Sequence, residues 1–170
     1  MMSRKYFMAM LIIIALVLTI SCSNSSNPKH RSPVFAIYLV KDMKTSVAAQ
    51  ISIDDLTLED EPILTENDLV SYSWKDHKLK LCKSAIKRVP KGIPLDGKPF
   101  VVVVNGDRAY LGALWARASS LIADIPVMFF EGDYLTIEPN YPSGQINAKD
   151  DPRNNKQVYN ALRGTGKLIE

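Results

Sequence analysis

Histidine is nearly missing from this 170-residue chain, which has only His30 and His77. His30 stands in a strongly polar segment, so any imidazole-dependent catalysis would rest on His77. A lone histidine without a partner motif reads as a structural or surface residue. No Gly-x-Ser-x-Gly nucleophile elbow occurs, nor a metalloprotease pair of histidines, nor a cysteine pair at zinc spacing. The expectation is therefore a non-enzymatic protein with no catalytic residue, no metal ligand and no cofactor. An excess of one charge is missing too, with 21 basic residues against 18 acidic ones. Nucleic acid is not an expected partner, because no basic electrostatic footprint is present. No internal repeat is found.

What the chain does have is a distinctive start. Arg4 and Lys5 precede an apolar run from Tyr6 to Ile20, and the small Ser21 stands just before Cys22. A positive segment, a short apolar segment and a small residue at the cut are the parts of a cleavable export signal. The run falls short of the roughly 20 apolar residues a spanning helix needs, and polar residues follow from Ser21 to Asn27.

The segment Thr19-Ile20-Ser21-Cys22 resembles the cleavage box of a bacterial lipoprotein signal peptide, with Thr19 where that family usually has Leu. The resemblance implies that residues 1–21 are cleaved and that Cys22 takes a diacylglycerol on its sulfur and becomes the first mature residue. Two or three acyl chains, palmitate among them, suffice for stable attachment where one holds only marginally. The implied location is the extracytoplasmic face of the cell membrane, or the outer membrane in a Gram-negative source. Loss of Arg4 and Lys5 with the signal brings the net charge near +1. With Cys22 acylated, Cys82 is the sole thiol, which excludes a disulfide-stapled module.

Residues 22–33 read as the lipidated cysteine and a flexible polar tether. Residues 34–170 read as a single α+β domain, mainly an antiparallel sheet with two to four short helices and a polar C-terminal tail. Val34 to Val40 is the first strand candidate, and Thr45 to Gln50 a short helix. Ile51 and Ile53 alternate with Ser52 and Asp54 as a half-exposed strand would. Thr65 with Asp68 three residues on resembles an N-cap, giving a short helix over Thr65 to Tyr72. His77 to Leu81 alternates, and Ser84 to Val89 reads as a helical turn.

The strongest local signal is Asn105-Gly106 between Phe100–Val104 and Asp107–Leu111, a hairpin with a tight turn that needs positive φ. Its four consecutive valines point to a strand covered on both faces. A second hairpin is expected at Glu131–Asp133. Leu114 to Ile125 fits strand and helix equally, and Lys156 to Leu162 reads as a helix ending at Gly164.

Several patterns carry possible chemistry. The acids Asp54, Asp55, Glu59, Asp60, Glu61, Glu66 and Asp68 lack the ligand spacing of a calcium loop and read as solvated surface. The bases Lys75, Lys78, Lys80, Lys83, Lys87, Arg88 and Lys91 form a stretch able to touch an anionic partner, either lipid head groups or an acidic envelope polymer. Simple exposure is the commoner fate of such a run. Ser84-Ala85-Ile86-Lys87 resembles the Ser-x-x-Lys of penicillin-binding enzymes, but that family's other motifs are missing or misplaced. Gly164-Thr165-Gly166-Lys167 lacks the leading glycine of a phosphate loop. Tyr72, Trp74, Tyr110, Trp115, Phe129, Phe130, Tyr134 and Tyr141 are enough to line a groove, or to fill a core.

From Pro62 to Ile137 the order Pro62-Ile63-Leu64-Thr65, His77-Lys78-Leu79-Lys80-Leu81 and Gly97-Lys98-Pro99-Phe100 through Asn105-Gly106 is similar to the extracytoplasmic head of the SecD translocation protein. This implies a sheet with an interaction role and assigns no functional residue. The leading expectation is a lipid-anchored binding or accessory protein of the bacterial envelope, whose partner is another envelope protein or a polymer. A small-ligand binder with an aromatic groove comes next, then an envelope hydrolase using carboxylates or Ser84 with Lys87.

Overall fold

Phe100–Val104 is apolar at every position and buried at every position, and the sheet is built around it. A computed structural model of the chain describes residues 32–143 and 150–170. The expected export signal, Cys22, His30 and nearly all of the tether lie outside the described residues.

The strands are β1 (Phe35–Leu39), β2 (Leu64–Thr65), β3 (Leu69–Ser73), β4 (Lys78–Leu81), β5 (Lys98–Val104), β6 (Asp107–Leu114), β7 (Val127–Glu131), β8 (Tyr134–Glu138) and β9 (Leu168–Ile169). The helices are α1 (Thr45–Ala48), α2 (Lys83–Ile86) and α3 (Lys156–Gly164). Among the described residues the nine strands form one sheet in the order β2-β1-β5-β6-β7-β8-β4-β3-β9.

The sheet is mixed, which corrects the expectation of a mainly antiparallel α+β sheet. β6 and β7 run parallel, joined through Ala113 opposite Val127 and Leu114 opposite Met128. β3 and β9 also run parallel, with Tyr72 opposite Leu168. Hairpin chemistry reports only sequence-adjacent strands, and here β5 turns into β6 at Asn105-Gly106 and β7 into β8 at Gly132-Asp133. Asn105 (φ 53°) and Gly106 (φ 94°) supply the left-handed backbone of the first turn. Parallel pairings come from longer excursions, residues 115–126 in one case and residues 74–167, ending in α3, in the other, and such pairings leave no turn motif to read.

Helix α3 organises the inner face. Asn155 caps it by accepting from the amides of Gln157 and Val158, and Val158, Ala161 and Leu162 form its buried stripe. The main core gathers Phe35 and Ile37 of β1, Tyr72 of β3, Leu79 of β4 and Leu135 of β8 with that stripe. Strands far apart in the order thus curl around one helix. The outer face is covered twice: Val40, Ala48 and Leu56 pack on Val101 and Val103, while Ala123 packs with Ala113, Trp115 and Phe129. The four valines therefore have cover on both sides.

Four local expectations change. Ile51–Ile53 is not a strand; a single 3-10 turn spans Ile53–Asp55. The Thr65 cap starts only a 3-10 turn over Glu66–Asp68, because Leu69–Ser73 pairs with β4 on one side and β9 on the other. Leu114–Ile125 is neither helix nor strand beyond Leu114. The expected polar tail instead turns at Gly166 (φ 68°) and adds β9 to the sheet.

Candidate functional site

Gly97 stands at φ 74°, and a Cβ built on it would lie 2.4 Å from Cε3 of Trp115. Only glycine satisfies both conditions, and the indole ring lies against this bare backbone at the end of β6. The amide of Trp115 donates to the carbonyl of Met128 at 2.9 Å, so the parallel β6–β7 junction sets where the ring sits.

Beside the ring is a cavity of about 420 Å³ lined by Thr45 and Ser46 of α1, Ala49 just after it, Asp96, Trp115 and the 121–125 segment. Its walls are tied together. The Ser119 hydroxyl donates to the carbonyl of Leu95 at 2.6 Å, joining the loop after β6 to the Leu95–Asp96 turn. Ala123 and Tyr141 exchange amide-to-carbonyl bonds of 2.7 and 2.8 Å. This volume falls in the ordinary range of small-molecule sites.

Two buried polar atoms in the described residues have no hydrogen-bond partner, Thr45 Oγ1 and Trp115 Nε1. Both residues are 5% exposed, and both line this cavity. An unmatched buried donor or acceptor costs about 1–3 kcal/mol, and both atoms are closed off from solvent within the packing around the cavity. The lining holds two carboxylates, Asp96 and Asp124, and no basic residue. Leu121 and Ile122 add exposed apolar surface at its mouth.

A second cavity of about 360 Å³ lies against Trp115, Arg117, Phe129 and Phe130. The charge of Arg117 there is already matched. The Arg117 guanidinium stands 3.6 Å from the Phe129 ring centroid and binds Glu131 at 2.7 Å and Glu138 at 2.6 Å. Arg117 holds the Glu131 carboxyl below its usual range.

The residues singled out by sequence are scattered. Lys78 and Lys80 lie on the face of β4 opposite buried Leu79 and Leu81, and Lys80 Nζ stands 5.6 Å from the Tyr134 ring. Lys75 is in the β3–β4 turn, Lys83 on α2, and Lys87 and Arg88 just after it. Arg88 pairs with Asp68, so one base of the expected contact stretch is already engaged by the acidic run. Asp68 is buried and accepts from the Thr65 amide at 2.9 Å, unlike its solvated neighbours. Lys91 lines the second cavity. Ser84 and Lys87 are exposed on the surface, and Ser84 Oγ contacts Cys82 Sγ at 3.2 Å.

His77 is buried in the β3–β4 turn. Its Nδ1 shares a 2.9 Å hydrogen bond with the Tyr72 hydroxyl, and its ring packs edge-on to Trp74. Burial, aided by nearby Arg153, lowers its pKa to about 4. The unfolded imidazole, near 6.5, therefore holds a proton that the native one refuses between those values. His77's contribution to stability should be complete above pH 6.5 and decline by about 1–3 kcal/mol as pH falls toward 4. Urea unfolding across that window checks this. His77→Asn, which tolerates the turn's positive φ of 48°, should flatten this part of the slope, and an unchanged slope would refute the assignment.

Of the aromatics read as groove or core, Tyr72, Tyr110 and Phe129 are core, and Trp115 alone lines the larger cavity. Thr45, Asp96 and Asp124 went unnoticed in the sequence, because they are distant from one another and carry no spacing signal. Compared with known protein families, curated proteins and solved structures, the chain matches none.

Proposed function

We propose that this protein is a lipid-anchored, extracytoplasmic binding protein of a bacterial envelope that holds a small ligand in the cavity beside Trp115 and performs no chemistry on it. The observation that supports this is the cavity of about 420 Å³ itself, whose wall joins Trp115, the aliphatic Leu121, Ile122 and Ile125, and the carboxylates of Asp96 and Asp124. The ligand-binding reading thus moves ahead of the accessory role with an envelope protein or polymer. That role keeps one supporting observation, the lysines of β4, which make no salt bridge among the described residues.

The test joins stability to binding. Thr45→Val removes an unmatched hydroxyl, so the ligand-free protein should gain about 1 kcal/mol in urea unfolding. Native mass spectrometry of the full-length protein, incubated with a small-molecule extract of the producing cells, should show a one-to-one adduct that Thr45→Val and Trp115→Phe each diminish. A Thr45→Val protein that is less stable, with no adduct on the parent, would overturn the reading.

A further inference from the structure

β7 outlasts its neighbour. β6 ends at Leu114, whereas β7, whose Met128 lies opposite Leu114, runs on through Phe129, Phe130 and Glu131. The Met128 carbonyl accepts from the Trp115 amide at 2.9 Å, and backbone groups two residues further along a strand point the same way. The N–H and C=O of Phe130 therefore face the side that β6 has left. Among the described residues no backbone hydrogen bond meets them there. An open donor and acceptor in strand geometry form a template for another strand.

The 360 Å³ cavity opens along this edge. Its wall includes Val89, Ile93, Leu114, Met128 and Phe130, and Phe130 is 40% exposed, so the groove can take an apolar side chain. The lining contains two bases, Lys91 and Arg117, and no acid. Arg117 is engaged by Glu131 and Glu138. Lys91 is exposed and makes no salt bridge among the described residues.

We infer that this groove receives an extended segment of another polypeptide. The segment pairs with Phe130 as a short added strand, seats one apolar side chain in the cavity and sets an acidic residue toward Lys91. A fatty acid would match Lys91 and the apolar wall but not the paired donor and acceptor of Phe130, whereas peptide units supply both partners. The groove shares only Trp115 with the 420 Å³ cavity, so this assignment is independent of what that cavity holds.

The test uses the full-length protein labelled with nitrogen-15 and three peptides. These are acetyl-Ser-Glu-Leu-Thr-Ser-amide, its counterpart with Lys in place of Glu, and the first peptide with the Leu and Thr nitrogens methylated. In the free protein the Phe130 amide should exchange with solvent faster than that of Phe129, which faces β8. The acidic peptide should slow exchange at Phe130 and bind about fivefold more tightly than the lysine peptide, and methylation should abolish binding. Lys91→Glu, a change at an exposed loop residue, should reverse the order of the first two peptides. If the methylated peptide binds as well as its parent, or the bound parent leaves exchange at Phe130 untouched, the added strand is wrong. Equal binding of the acidic and lysine peptides, or no binding by any of the three, also overturns the inference.

Discussion

Asp151→Ala should cost about 3–5 kcal/mol, a large part of the stability of a domain this size. Asp151 is 7% exposed, and it grips Arg153 through Nε at 2.9 and 3.1 Å and Nη2 at 2.5 Å while accepting from the Arg153 amide at 3.0 Å. Arg153 in turn donates to the carbonyl of Ile137 at 2.6 Å, fastening the segment before α3 to the end of β8. Burial opposes ionisation of Asp151, yet the bonds from Arg153 hold its pKa below the usual carboxylate range. Removing the acid leaves a largely buried guanidinium, its side chain 12% exposed, with the Ile137 carbonyl for company, near Tyr72 and Tyr110. The check is urea unfolding of Asp151→Ala, Arg153→Met and the double variant. The double variant should be distinctly more stable than Asp151→Ala alone, because no charge is left stranded. Simple additivity of the two losses would show that the pair is not coupled.

Cys22→Ala should abolish incorporation of labelled palmitate altogether, whereas Cys82→Ala should leave it intact. The proposal rests on the small Ser21 before a cysteine at the end of a short apolar run. On that proposal the mature protein would start at Cys22 and carry two or three chains. One acyl chain gives a membrane association constant of only about 10⁴ M⁻¹, and a second makes attachment lasting. Cys82 is a useful control because it is the other cysteine in the chain; its pKa is lowered by the hydrogen bond with Ser84, so it would report chemical labelling of a reactive thiol. Intact mass should show acyl additions on a chain beginning at residue 22. A wild-type protein with no acyl mass would end the anchoring proposal.

Local features were legible because their causes are local. Asn105-Gly106 dictates positive φ wherever it sits between strands, the helix read from Lys156 and ending at Gly164 forms as α3, and four valines in a row need cover on two faces. The Thr65–Asp68 pairing was legible too, since both bonds of its capping box form, yet the helix it announces stops after three residues. There the sheet outbids the cap, because β4 and β9 offer Leu69–Ser73 a ladder on both sides. Leu114–Ile125 could not be resolved by periodicity, because its shape is set by Ser119 bonding the Leu95 carbonyl and Ala123 pairing with Tyr141.

The amino-acid order alone determined the hairpins, the helix α3 and the expectation of an acylated Cys22, since each depends on residues within a few positions of one another. Tertiary structure alone decided that the sheet is mixed and that Thr45, Asp96, Trp115 and Asp124 share one cavity. Those outcomes depend on which distant segments meet, and an unmatched hydroxyl or indole N–H exists only once the rest of the chain has closed around it.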